Sequence, residues 1–272
     1  MFNLQNHKPA SSQTGHCFRR LHQIGFDGFQ EANLHFMPWA LQHITWNAND
    51  RVLDCGCGAS NYLKHAIQQG LSPKNCHMID RQKTLTRELK ETWSQSASLP
   101  QIINGDSSYI PLPDASIDHA LAMHIFARLD DISASLAEIR RVLRPNGQLL
   151  VSTNSVSHLQ ELVNLFGQSV KRFSGVSFQY PVSFFSRENG ENFLEYHFAE
   201  IERLDFNHSI VCESSHTLIS FIEEQRPSLE YLLPSTLGWD LVIEDLEYQI
   251  DTQIKQSGSF RTHIKRSIFI CS

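Results

Sequence analysis

The stretch VLDCGCGAS, residues 52–60, constrains this chain more than any other segment. Val52 and Leu53 form an apolar run that ends on an acid, Asp54, and two glycines follow at alternate positions, Gly56 and Gly58. A helix-like stretch from Ala59 to Gln69 comes next. A buried parallel strand hands over to a helix in this way, through a turn whose glycines let a ligand touch backbone. The acid sets the sign of that ligand. A carboxylate accepts from an ammonium or a hydroxyl and repels a pyrophosphate, so the turn suits a nucleoside carrying positive charge.

Beyond this turn the chain alternates. Arg51–Asp54, Cys76–Asp80, Gln101–Asn104, Ile117–Met123 and Gln148–Ser152 read as strands, with helices over Thr84–Ser94 and Ile132–Leu143. Pro145 cannot extend the second of these helices, and Gly147 permits the turn into the fifth strand. The alternation predicts an α/β fold, a Rossmann-like doubly wound and mostly parallel sheet. Its ligand crevice lies at the carboxyl ends of the strands. Ile201–Cys212 and Arg261–Cys271 read as two further strands.

The flanks are less regular. Between Cys17 and Trp46 apolar residues recur at spacings of mostly three to four, which predicts helices. Residues 1–49 are therefore expected to form an N-terminal helical cap, and 50–272 the main domain. Residues 155–190 carry Phe166, Phe173, Phe178, Tyr180, Pro181, Phe184 and Phe185 at low charge. Two readings stand for them: an insertion, about 155–200, that covers the active face, or an ordinary core helix with a loop.

Composition narrows the function. Apolar residues make up 41% of the 272, ample for a core. The net charge of −6 and a pI near 6.1 leave no electrostatic footprint for nucleic acid. No stretch approaches the ~20 apolar residues that span a bilayer, and MFNLQNHKPASSQTG has no signal core, so a cytoplasmic protein is expected. The six cysteines are scattered, and Cys55-x-Cys57 has no further ligands at metal-binding spacing, so no metal is expected.

The turn and the segments after it resemble class I S-adenosylmethionine-dependent methyltransferases, whose first motif is hydrophobic-Leu-Asp-x-Gly-x-Gly. The longest match is the run IPLPDASID (110–118), then a strand, then LAEIRRVLRPNG (136–147). The family form reads Leu-Pro-Phe-Pro-Asp-x-Ser-Phe-Asp and then Leu-x-Glu-x-x-Arg-Val-Leu-Lys-Pro-Gly-Gly; Ile117 replaces Phe, and Asn146 the first Gly. This run specifies the type 11 branch. The resemblance covers residues 50–153 and fades at both ends.

What it implies is a methyltransferase domain over 50–272 with an antiparallel last strand, S-adenosylmethionine as donor and S-adenosylhomocysteine as product. The implied contacts are Asp54 to the ammonium, Gly56, Cys57 and Gly58 along the methionine portion, and Asp80 to the ribose hydroxyls. Arg81 lies beside the adenine, and Asp106 with Ser107 at its exocyclic amine. Met123 and His124 stand at the end of the fourth strand, where His124 is the candidate general base. Phe18, Phe26, Phe36 and Trp39 are expected to close over the cofactor, with Arg19 or Arg20 near its carboxylate.

The expected activity is methyl transfer to an O, N or C atom of a small organic metabolite by in-line displacement, in a monomer or homodimer. A protein or RNA acceptor and a non-catalytic binding partner are the alternatives. A nicotinamide enzyme is disfavoured because Asn61 occupies the place of the third glycine and Asp54 opposes a diphosphate. Base methylation on an amino group is disfavoured too: Ala122-Met123-His124-Ile125-Phe126 stands where its Asn/Asp-Pro-Pro-aromatic element would be. An aminopropyl transferase would share the sheet, but that family's acidic substrate pattern is absent.

Overall fold

The computed structural model describes residues 35–96, 98–179 and 184–272. They fall into two compact units: a larger one of 35–159, 184–208 and 263–272, and a smaller one of 160–179 and 209–262. Phe18, Arg19, Arg20, Phe26, Tyr180 and Pro181 lie outside the described residues.

The larger unit holds most of the sheet, while residues 209–212 and 260–262 at the ends of two strands fall in the smaller. The strands of the sheet are β1 (Val52–Cys55), β2 (Cys76–Asp80), β3 (Gln101–Asn104), β4 (Ile117–Met123), β5 (Leu143–Asn154), β6 (Ile201–Cys212) and β7 (Phe260–Cys271), in the spatial order β3-β2-β1-β4-β5-β7-β6. Pairings from β3 through β5 are parallel, and β5 pairs antiparallel with β7. Strand order reverses direction between β1 and β4, so a crevice opens there at the carboxyl ends. Every residue of β1 and β2 is buried, which is why both read as short unbroken apolar runs rather than alternating ones.

Helices α1 (35–41), α2 (Asn61–Gln68), α3 (Lys83–Trp93) and α4 (Ile132–Val142) cover the sheet. Asp131 starts α4 by accepting from the Ala134 N–H at 2.9 Å. Residues 35–50 cluster with the sheet rather than apart from it. Phe36, Ala40, Leu41 and Ile44 pack on Val52, Leu63, Met78, Leu121 and Leu150.

The start of β5 departs from expectation. Arg144-Pro145-Asn146-Gly147 is not a turn between α4 and β5 but the first part of the strand itself, beginning at Leu143. Leu143 pairs with Ile117, and the register then shifts before Gln148 meets His119, so the extra residues are absorbed as a bulge. Gly147 has no left-handed backbone. It is needed because a Cβ there would stand 3.0 Å from the Asp118 carbonyl oxygen.

The long motif match has a structural cause. Arg141 donates to the carbonyls of Ile110 (2.8 Å) and Leu112 (2.9 Å), to Asp114 (2.6 Å) and to Glu138 (2.8 and 2.7 Å). Glu138 also accepts from the Ile110 N–H at 2.8 Å. One guanidinium thus pins the IPLPD loop to α4. Arg141→Met is expected to destabilise the fold by about 2 kcal/mol, since it strands backbone carbonyls and one carboxylate together. A urea titration checks this, and an unchanged midpoint refutes the clamp.

The smaller unit contains α5 (Gln160–Ser174), and the larger the short α6 (Gly190–Leu194). The smaller unit continues with α7 (His216–Glu224), α8 (Arg226–Leu229) and α9 (Trp239–Ser257). Phe166 on α5 meets Phe178 and Trp239 at 5.1 and 5.9 Å between ring centroids, an ordinary aromatic core. Phe185 is core in the larger unit, while Phe173 and Phe184 are exposed. The nineteen-residue α9 had no counterpart in the sequence reading. Its signal was present: Trp239, Val242, Ile243, Leu246 and Ile250 are its buried stripe at helical spacing.

Candidate active site

The residues singled out around the first turn come together at the ends of β1 and β2. Gly56 and Gly58 both take left-handed backbone, φ +61° and +51°. The Gly56 and Cys57 N–H groups donate to the Ile79 carbonyl at 2.8 and 3.2 Å, which ties the turn down onto β2. A Cβ on Gly56 would strike Ile125, whereas nothing stands within 4 Å of one on Gly58. The first glycine makes room for a packed side chain, and the second faces open space.

Two carboxylates flank this opening. Asp80 accepts from the Gly58 N–H at 3.0 Å and from the Gln82 N–H at 2.8 Å. Asp54 is buried and accepts from the Ser60 hydroxyl at 3.1 Å. Burial pushes the Asp54 carboxyl up to about 7; the Ser60 hydrogen bond opposes this, and the charge of Asp80 adds to it. Two buried acids at neighbouring strand ends repel each other, and a cation between them relieves both.

The third segment is partly turned away. Asp106 is exposed and closes a local turn, accepting from the N–H and the hydroxyl of Ser108 at 2.9 Å each. The buried Ser107 hydroxyl bonds Ser135 on α4 at 2.9 Å. Arg81 is exposed and lies 3.8 Å from Asp130. Cys57 and Met123 are both buried, in the same cluster as Phe36.

At the end of β4 His124 is held in left-handed backbone, φ +56°, uncommon for a residue with a side chain. Its N–H donates to the Ser152 carbonyl (3.1 Å) and hydroxyl (3.0 Å). Burial, with Arg266, Arg128 and His158 nearby, holds its imidazole well below the usual histidine range. The ring is neutral at pH 7, but a ring so hard to protonate is a weak general base. Phe36 packs against it at 5.6 Å, and Trp39 and Phe206 complete an aromatic wall with Phe36 at 5.7 and 5.3 Å.

Four residues of this region escaped sequence reasoning: Ser60, Tyr62, His158 and Arg266. None sits in a motif, and only Ser60, beside the glycines, had a positional hint. A separate open cleft of about 490 Å³, between Ala115, Arg140 and Pro145, lies at the opposite ends of the strands and contains none of the motif acids.

Residues 53–151 match the family model described as a methyltransferase domain. The malonyl-[acyl-carrier protein] O-methyltransferase of Serratia marcescens is 30% identical over 119 residues, 44% of this chain and 44% of that protein. The 23S rRNA (guanine(748)-N(1))-methyltransferase of Streptomyces fradiae is 30% identical over 120 residues, 44% of this chain and 39% of that protein. The chain thus spans less than half the length of these curated relatives. The crystal structure of YcgJ protein from Bacillus subtilis shares the fold, with a TM-score of 0.57 over 87% of this chain and 97% of that one at 15% identity. The matched segment, described as a methyltransferase domain, runs from the acid-bearing strand to the fifth strand of that same sheet.

Proposed function

We propose that this protein transfers the methyl group of S-adenosylmethionine to a small organic acceptor. The observation that carries the reading is the pair Asp54 and Asp80 beside the open left-handed turn at Gly58. The donor fits these residues: its ammonium answers Asp54, its ribose hydroxyls answer Asp80, and its chain needs the backbone approach that a Cβ at Gly58 would close. When bound, it supplies an electrophilic methyl group already activated by the sulfonium. What remains for the protein is alignment and dryness, and proximity alone lowers such barriers by about 7–11 kcal/mol in favourable models. Phe36, Trp39 and Phe206 provide apolar, water-excluding surface that also tolerates a cation.

The acceptors named for the two relatives are a carrier-bound malonyl group and a ribosomal guanine. A net charge of −6 favours the small acyl type over RNA. Calorimetry with S-adenosylmethionine against NAD tests the cofactor, and mass spectrometry of a metabolite extract incubated with methyl-labelled donor tests turnover. Binding of NAD in preference, or no labelled product, refutes the reading.

Asp54 makes donor binding pH-dependent. A cationic ligand binds the carboxylate form, so affinity is expected to fall about tenfold per pH unit below pH 7, with proton uptake by the buffer on binding. The sign for stability is opposite. The folded pKa lies above the unfolded one, so Asp54 contributes stability to the ligand-free protein below about pH 4 and loses it as pH rises through 7. Asp54→Asn is expected to flatten both profiles and to stabilise the free protein at pH 8 by about 1–2 kcal/mol, while donor affinity drops. Calorimetry from pH 5.5 to 7.5 and melting curves at pH 8 check this; a D54N protein with the wild-type affinity profile refutes it.

A further inference from the structure

Ser60 breaks two rules of its position. It immediately precedes α2, where a serine side chain ordinarily accepts a backbone N–H and caps the helix, yet its hydroxyl makes no capping bond. It is also held in left-handed backbone, φ +54° and ψ +39°, which is costly for a residue with a Cβ. The backbone is tied on both sides. The Ser60 N–H donates to the Cys57 carbonyl at 2.6 Å, and the Ser60 carbonyl accepts from the Lys64 N–H at 3.0 Å. Glycine would take this conformation without strain. What serine adds is a hydroxyl, in a residue almost wholly buried, that donates to Asp54 Oδ2 at 3.1 Å. Oδ1 of the same carboxylate accepts no hydrogen bond among the described residues.

The rest of the surroundings work against the Asp54 charge. Met78 of β2 and Leu121 of β4 stand beside it in the sheet and are apolar. The described titratable groups that sense it are Asp80 and Cys76 of β2, Cys55 of β1, Cys57 of the turn and Tyr62 of α2. Burial pushes Cys76 and Tyr62 up to about 12 and raises Cys55 and Cys57 as well, so these four stay neutral at pH 7. Asp80 carries the same sign as Asp54. None of these groups is positive, and the Ser60 hydroxyl is the side-chain donor that Asp54 has.

We propose that Ser60 is a positioning residue for the methyl donor: its hydroxyl holds Oδ2 of Asp54, keeps that carboxylate ionised and leaves Oδ1 to the donor's ammonium. The proposal rests on the methyl-transfer reading above and deepens it. A hydroxyl that donates to a carboxylate favours the ion over the acid, here against burial and against the charge of Asp80. It also fixes the rotation of the carboxylate, so the second oxygen is presented in one direction. Left-handed backbone at a residue with a side chain persists where the surrounding structure has a use for it. At Ser60 the bonds to Cys57 and Lys64 impose the conformation, and the hydroxyl on Asp54 is what the side chain contributes in return.

Ser60→Ala and Ser60→Gly separate the hydroxyl from the backbone. Both remove the donor to Asp54, but only glycine relieves the left-handed strain, so Ser60→Gly should melt a few degrees above Ser60→Ala. Their affinities for S-adenosylhomocysteine, measured by calorimetry on the full chain, should nevertheless agree within about twofold. Each should bind about tenfold more weakly than the wild type at pH 6 and within about twofold of it at pH 8.5. The reason is that losing one hydrogen bond to a charged group moves the acid limb of binding up by about one pH unit. The ligand's own amine titrates alike in all three proteins and cancels from the ratio. A ratio that stays constant from pH 6 to 8.5 overturns the proposal. So does an affinity that recovers in Ser60→Gly along with its melting temperature, because a residue that only shapes the turn would behave that way. If Ser60→Ala fails to fold, Ser60→Gly still carries the pH comparison. Failure of the wild type to bind S-adenosylhomocysteine sinks the methyl-transfer reading itself; wild-type binding with variants on the same pH profile sinks only the role of Ser60.

Discussion

Asp80→Ala is expected to weaken S-adenosylmethionine binding by about a hundredfold or more while leaving the protein folded. The carboxylate receives the Gly58 N–H at 3.0 Å and the Gln82 N–H at 2.8 Å, so it fixes the turn on which the proposed donor site is built. Hydrogen bonds to a charged group are each worth about 1.5–3 kcal/mol, and two ribose hydroxyls lost together amount to about 3 kcal/mol or more. Removing the charge also relieves repulsion on Asp54, so the melting temperature should move little. Asp80→Asn keeps one acceptor and should lose only about tenfold. Calorimetry with S-adenosylhomocysteine separates the three proteins. Equal affinities would mean that the end of β2 does not touch the nucleoside.

The second large effect is on the fold itself. Gly56→Ala is expected to cost about 2–4 kcal/mol, combining left-handed backbone with overpacking. At φ +61° the added Cβ would lie 2.5 Å from Ile125 Cγ2 and 3.2 Å from its Cβ. Ile125 is itself buried among Leu53, Ile79 and Phe126 and has little room to yield. For a chain of this size the melting temperature should fall by about 10 °C. Adding Ile125→Ala to the variant should remove the steric part and leave the backbone part. Gly58→Ala is the contrast. It meets no atom within 4 Å, so its fold should lose only about 1 kcal/mol, whereas its donor affinity should fall further than that of Gly56→Ala. Thermal melts and calorimetry on the pair decide it; equal melting temperatures for the two alanines would refute the packing account.

Much of the larger unit was legible because its signals are local. Cys76–Asp80, Gln101–Asn104 and Ile117–Met123 occupy the residues their patterns predict, since a run of apolar residues closed by an acid or a turn residue has few other uses. The path through Arg144-Pro145-Asn146-Gly147 was not legible. Proline and glycine ordinarily signal a turn, but pairing of Leu143 with Ile117 and the approach of the Asp118 carbonyl overrode that preference. The motif around Arg141 was visible as a pattern, but its reason, five bonds from one guanidinium to a loop and a helix, was not.

The sequence by itself determined the strand-to-helix handover at Asp54, Gly56 and Gly58 and the acid that closes the next strand, because backbone freedom and charge are properties of single residues and their neighbours. Only the tertiary structure decided that Phe36 packs against both His124 and Arg266 and that Ser107 bonds Ser135 on α4. The physical reason is that strand order and register bring together side chains far apart along the chain, and no local period records where they meet.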